Sequence, residues 1–438
     1  MPRIDFRELL DFYRRELHDN FMAYWLKQVD WERGGVLNCL SNRGDKLLHE
    51  HKFVWSQGRF AWQCARLYET SVGEVPEETR KKYMDAARGT ARFLMDHARI
   101  AGGGCAFVLS RDGRPIMIGD DGRERPIRPG EYYDYSTNAD DFAYYGVSEY
   151  ARVSGDREAY EWAKDVYQSL RQRIKAGTAH HDYPYPTPKG YKTHGTPMGL
   201  LEEAQELCRT AERFGDAPFA AELADTARQC MEDVMDLFVQ PDKIVLEMLS
   251  PEYQPVDTLL GRYVNPGHTL EDMWFVIHQA MRLNDREVID RAAEVTMATC
   301  RLGWDDEHGG IPQFCDRDGG QPKGPVPPEL EREVMVHKVR NLWDKKLWWP
   351  HSEALYALLL VHEQTGSSEA LDEYSRFHDY TFRTFPNPDK AVGEWIQIRN
   401  RRGEPEEAVV ALPVKDPMHI VRAFIHTIQC LKRLTAKG

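Results

Sequence analysis

Cysteine is scarce and unpatterned in this chain. Eight residues (Cys39, Cys64, Cys105, Cys208, Cys230, Cys300, Cys315 and Cys430) are scattered over 438 positions with no CxxC pair. Neither a disulfide scaffold nor a thiolate zinc site is expected, and buried, reduced thiols in the cytoplasm fit best. Excess positive charge is missing too. Lys and Arg number 57 against 70 Asp and Glu, a net charge of −13, so neither nucleic acid nor an anionic membrane is an expected partner. No apolar run approaches the ~20 residues that a membrane helix needs. The opening MPRIDFRELLDFYRRELHDN is charged throughout, unlike a signal peptide. The one glycine triplet, at 102–104, leads into a hairpin pattern and not into a nucleotide loop.

What is present is globular: 42% hydrophobic and 29% charged residues, outside the range of disordered chains. At ~150 residues per domain the length suggests about three domains, but an internal repeat overrides that prior. Segments starting at Ser56, Asn138, Thr196, Gly267 and His351 share one plan. Each is an apolar helix, a short turn, then an amphipathic helix. Four of the turns are Gly155-Asp156, Gly215-Asp216, Asn284-Asp285 and Gly366-Ser367, residue types that end helices and tolerate unusual backbone angles. The first helix of each pair carries little charge on any face, as a buried helix should; the second has one apolar stripe. Inner helices are expected near 55, 138, 196, 266, 349 and 416. An unpaired amphipathic helix at about 5–29 can serve as outer partner of the sixth. An open solenoid is the alternative. Closure is favoured because the N-terminal helix lacks a sequence-adjacent partner and so does the C-terminal one. The expected fold is all-α, an (α/α)6 barrel forming one domain over 1–438. Strand-like stretches around RDG- or RGD-like tips, such as 103–118, 309–320 and 393–412, read as short β-hairpins at the end where inner helices start.

That end collects the unusual residues: Arg59, His268, Glu271, Trp274, Trp349, His351, Glu353, His419 and Arg422. Singly, each has a bland reading. A Trp in an inner helix is usually packing, a His at a helix start is often a cap or core residue, and Pro266 at a first turn is ordinary. Together, ionisable groups on four inner helices need partners or a ligand, because an unpaired buried charge is costly. Aromatic faces beside polar groups suit a sugar. Spacing bears on two rival readings. No HxxxH or HxH pair occurs among His268, His351 and His419, so no metal is expected. Glycosidase chemistry would need Glu271 and Glu353 about 5–9.5 Å apart across a substrate; their closeness in sequence to His268 and His351 suits support of an imidazole better.

The strings KFVWSQGR (52–59), NPGHTLEDMWF (265–275), GWDDEHGG (303–310), KLWWPHSEALYALL (346–359), GEW (393–395) and MHIVR (418–422) resemble the N-acylglucosamine 2-epimerase family, whose relatives include cellobiose 2-epimerases and mannose isomerases. The resemblance implies a sugar 2-epimerase with His268 and His419 as general acid and base at C2. It implies that Arg59, Glu271, Trp349, His351 and Glu353 bind the sugar or support the histidines, all seven lining one pocket. It implies no metal and no cofactor, and a homodimer is expected. An aldose–ketose isomerase, an epimerase of an unmodified sugar or disaccharide, and a non-catalytic binding protein are the alternatives. Two departures stand out. A family position that is His in the cellobiose and mannose branches is Gly199 here, with His194 in the preceding loop, and the stretch 321–344 is longer than usual.

Overall fold

A computed structural model describes residues 4–119 and 122–437; the expected domain range 1–438 runs on to residues that lie outside the described ones. Among the described residues, twelve long helices alternate between outer and inner positions. Outer helix α1 runs Phe6–Arg15, continues through a π-helical turn at Glu16–Met22 and ends at Ala23–Trp25. Inner α2 (Val54–Thr70) and outer α3 (Glu77–His97) follow, then α4 (Asn138–Ser154) and α5 (Arg157–Ala176). The pairs α6 (Gly195–Phe214) and α7 (Ala217–Asp233), and α8 (Pro266–Leu283) and α9 (Arg286–Gly303), come next. The last are α10 (Trp348–Thr365) with α11 (Ser368–Thr384), and α12 (Met418–Lys437).

The hairpin turns repeat one solution. Gly155, Gly215, Asn284 and Gly366 sit in the left-handed region, with φ of 78°, 74°, 56° and 73°. The next residue (Asp156, Asp216, Asp285 or Ser367) caps the outer helix by accepting from a backbone N–H three residues on. Such caps are worth about 1 kcal/mol each. Burial follows the pattern read from sequence. In inner α10 every residue from Pro350 to Val361 is buried. In outer α5 only the stripe Ala159, Tyr160, Ala163, Val166, Tyr167 and Leu170 is.

The inner helices form a ring: α2 packs on α4, α4 on α6, α6 on α8, α8 on α10, α10 on α12, and α12 returns to α2, while α1 packs outside α12. Backbones touch where α2 crosses α4. A Cβ on Gly58 would meet the Phe142 carbonyl oxygen at 1.8 Å, and one on Gly146 would meet that of Gly58 at 2.0 Å.

The six two-stranded sheets refine the hairpin expectation. Cys39–Leu40 with Leu47–His49, and Met117–Ile118 with Glu124–Arg125, are local hairpins. The other four pair the strand entering an inner helix with one that follows the next outer helix: 52–53 with 108–109, 192–193 with 248–249, 263–264 with 315–316, and 346–347 with 398–399. Four αα-hairpins are thus clasped at their open ends, which fixes where their inner helices begin. The stretch 321–344 folds into a satellite apolar cluster with Leu259, Leu260 and Tyr263, through Leu330, Met335, Val336 and Val339. No helix of the described residues is long and apolar enough to cross a membrane.

Candidate active site

A cavity of about 570 Å³ opens where the inner helices start. Helix α8 begins with Asn265, whose Oδ1 accepts from the His268 N–H at 3.2 Å, and with Pro266. Gly267 is required there: a Cβ would lie 2.5 Å from the Trp349 ring. His268 therefore projects from the first turn into the cavity, its side chain 30% exposed. At the start of α12, Asp416 accepts from the Met418 N–H, and His419 and Arg422 follow one turn apart. Trp349 stands between the two imidazoles, its ring centroid 5.5 Å from His268 and 5.3 Å from His419.

Each imidazole rests on a carboxylate. His268 Nδ1 lies 3.1 Å from Glu247 Oε2, and His419 Nδ1 lies 2.8 Å from Glu353 Oε1. A carboxylate only accepts, so Nδ1 carries the proton and Nε2 is left as the acceptor. Burial pushes the Glu353 carboxyl up, but Arg422 and His419 outweigh it and hold it at about 2. Burial likewise opposes Glu247, which His268 and His194 hold at about 2. Both carboxylates stay charged at neutral pH. That is the opposite of a glycosidase acid, whose carboxyl must be raised. Arg422 is buried among Glu353, Glu271 and Glu202, donating to Glu353 Oε1 at 2.8 Å, to Glu202 Oε1 at 3.0 Å and to Glu271. Arg59 lies between the rings of Trp55 and Phe142, 4.7 Å and 4.2 Å from their centroids, and pairs with Asp416.

Five of the seven residues implied by the resemblance line the cavity: Arg59, His268, Glu271, Trp349 and His419. Two do not. Glu353 is fully buried behind His419, with Oε2 accepting from Trp274 Nε1 at 2.8 Å. His351 is a larger correction. Two residues beyond Trp349 on a helix is about 200° around the axis, so it points away from the cavity. Its Nδ1 donates to the Leu347 carbonyl at 2.7 Å, and its Nε2 accepts from the Ile311 N–H at 3.1 Å. Burial drives its imidazole down to about 3, so it is a neutral core residue.

Several matching strings also turn out to be scaffold. Asp305 holds Arg401 at 2.9 Å and Lys346 at 3.1 Å, and Glu394 pairs with Lys415 beside Asp416 at 2.6 Å. Sequence reasoning missed Glu247 and Asp272. Glu247 had a signal, a lone charge inside the apolar run Ile244–Leu249, 4% exposed in the fold. The structure also brings together two groups that spacing could not reveal, His194–Glu247–His268 and Glu271–Glu353–His419, whose ligand atoms lie within 4.8 Å of one another. Imidazole–carboxylate hydrogen bonds account for the closest contacts in both groups.

A profile of the family described as N-acylglucosamine 2-epimerase (GlcNAc 2-epimerase) matches residues 34–423. The chain is 31% identical to the N-acylglucosamine 2-epimerase of Rattus norvegicus, over 98% of this chain and 94% of the relative. It is 20% identical to a cellobiose 2-epimerase of Ruminococcus albus, over 87% and 88%. Among solved structures, the cellobiose 2-epimerase from Spirochaeta thermophila superposes with a TM-score of 0.71 at 18% identity, covering 98% of each chain. These likenesses place an isomerase-class enzyme on the α/α-barrel fold, and the chain belongs to the N-acylglucosamine 2-epimerase family.

Proposed function

We propose that this sugar 2-epimerase interconverts an N-acylglucosamine and the matching N-acylmannosamine, with His268 and His419 as the acid–base pair. One observation carries the reading. Two imidazoles flank a single indole, each with Nδ1 on a charged carboxylate and its side chain on the same cavity.

The chemistry follows from the sugar. The C2 proton is acidic only when C1 is a carbonyl, so the ring opens first. Nε2 of one histidine takes the C2 proton, and the electron pair moves onto the C1 oxygen as an enediolate-type anion. The Arg59 guanidinium, on the cavity wall, is placed to balance that charge. The other histidine, as imidazolium, returns a proton to the opposite face of C2. One proton is lost and one gained, the C1 carbonyl reforms, and no oxidant, metal or cofactor enters the balance. Imidazole suits both steps because its reference pKa of ~6.5 lies near neutrality. Trp349 offers a flat apolar face for the sugar C–H groups.

The test is proton NMR in deuterated water with N-acetylmannosamine, N-acetylglucosamine, mannose, glucose and cellobiose. Early deuterium at C2 of the product and formation of the N-acyl epimer support the reading. A ketose as main product, or turnover of cellobiose or mannose alone, replaces it. We place the enzyme in the cytoplasm as a homodimer. Burial of all eight cysteines supports the first, and sedimentation analysis tests the second.

A further inference from the structure

The two histidines are supported differently. Glu353, behind His419, is fixed by Arg422 and by the indole N–H of Trp274. Glu247, behind His268, has no arginine among the ion pairs of the described residues; its other oxygen meets a third histidine. His194, fully buried at the entry to α6, places Nδ1 3.2 Å from Glu247 Oε1 and Nε2 2.7 Å from Asp272 Oδ2. Its backbone N–H also donates to the Glu247 carbonyl at 3.0 Å. The four side chains form one line, Asp272–His194–Glu247–His268. Asp272 lies on α8 itself, four residues beyond His268, so the line leaves α8, crosses to the entry of α6 and to the bend just before strand 248–249, and returns to α8.

Resting on the epimerase reading, we infer that His194 is a positioning residue: as an imidazolium donating from both ring nitrogens, it fixes Glu247 and through it the tautomer and aim of His268. Only the doubly protonated ring can donate to two carboxylates at once; a neutral ring would leave one buried carboxylate oxygen unmatched, at a cost, or require Asp272, whose carboxyl burial pushes up, to carry the proton in its place. The surroundings favour the cation. Burial alone pushes the imidazole down, but the hydrogen bonds to Asp272 and Glu247 and their charges raise it to about 10. The charged or titratable groups facing it are Glu247 and Asp272, with Glu271 beyond Asp272; the Phe238 ring, 5.7 Å away, covers another side. His194 reaches no cavity atom, so any part it plays in turnover runs through Glu247.

A residue of this kind acts on one half of the reaction. His194→Gln should lower kcat about tenfold or more, in the range seen when an outer partner of a functional histidine is lost, with KM within about twofold. In deuterated water, C2 exchange should fall much further in the epimer whose proton His268 handles than in the other. Glu247→Gln should show the same one-sided loss, and the double variant should be no worse than the more damaged single one. Equal loss of exchange in both epimers overturns the inference, since a general packing defect would act on both faces alike. Nitrogen-15 NMR of the unaltered protein's imidazoles is independent of how the variants fold. Both His194 nitrogens should carry protons from pH 6 to 8.5, and a single protonated nitrogen overturns the inference. Absence of C2 exchange by the unaltered enzyme with every aldose overturns the epimerase reading instead, and is recognised because no variant is needed to see it.

Discussion

Glu353 holds His419 from behind, Oε1 to Nδ1 at 2.8 Å, while touching no part of the cavity. Its effect on chemistry is therefore indirect but strong. Glu353→Gln keeps the volume yet allows the amide N–H₂ to face Nδ1 and favour the wrong tautomer. We expect kcat to fall by about 10² or more while KM moves little, by analogy with the loss seen when a triad aspartate becomes an amide. Steady-state kinetics beside a circular dichroism spectrum separates this from unfolding.

His268→Asn and His419→Asn should each remove most turnover, about 10²–10⁴-fold. The losses should not multiply in the double variant, because both groups serve one proton transfer sequence. Each single variant should keep C2 exchange in only one epimer, and the two should keep it in opposite epimers. Exchange followed by NMR from either sugar reads this directly.

His351→Gln tests whether this imidazole serves packing and not the sugar. The side chain packs between Tyr380 and Phe385, with ring centroids 5.3 Å and 4.8 Å away, and satisfies two backbone groups. The substitution should lower the melting temperature and leave kcat/KM within a few-fold. A large rise in KM at unchanged stability would return His351 to the sugar site.

Stability should depend on pH with two opposite signs. Glu247 and Glu353 sit near 2 in the folded protein, below the ~4.3 of an unfolded chain. Their contribution is complete above that unfolded value and lost as pH falls from there towards 2. His194 sits near 10, above its unfolded ~6.5. Its contribution is complete below pH 6.5 and lost as pH rises towards 10. The gap in melting temperature between the unaltered enzyme and His194→Gln should therefore narrow from pH 6.5 to 10. The gap for Glu353→Gln should narrow from pH 4.5 downward.

Chelation should leave activity intact. The two histidine–carboxylate groups hold contacts of 2.7–3.2 Å that protons fill. Activity lost to a chelator and restored by one divalent ion would show that a group of three binds metal instead.

The helical plan was legible because it is local. Apolar periodicity, a glycine or asparagine at each turn and an aspartate or serine cap all lie within one repeat. The strand clasps were not, since Lys52–Phe53 and Val108–Leu109 are joined across a whole helical hairpin. The same distinction runs through the site. Arg59, His268, Glu271, Trp349 and His419 stand at inner helix starts and were found. Glu247 comes from the bend just before strand 248–249 and Asp272 from the buried side of α8, so only the tertiary fold joins them to His194. His351 entered through the family resemblance, and being two residues from Trp349 on one helix turns it to the opposite side.

The packing of α1 outside α12 bears on how the enzyme is made. Helix α12 supplies His419 and Arg422, and its outer cover, α1, leaves the ribosome before the other eleven long helices of the described residues. Until α12 emerges, the ring between α10 and α2 stays open, α1 lacks the inner helix it packs on, and Glu271 and Glu353 lack their arginine. Nascent chains short of α12 therefore expose an apolar slot, the kind of surface that chaperones hold and that aggregates when left bare. On the proposed mechanism, barrel closure and catalytic competence arrive in a single event, so a product truncated before α12 should be inert as well as prone to aggregate.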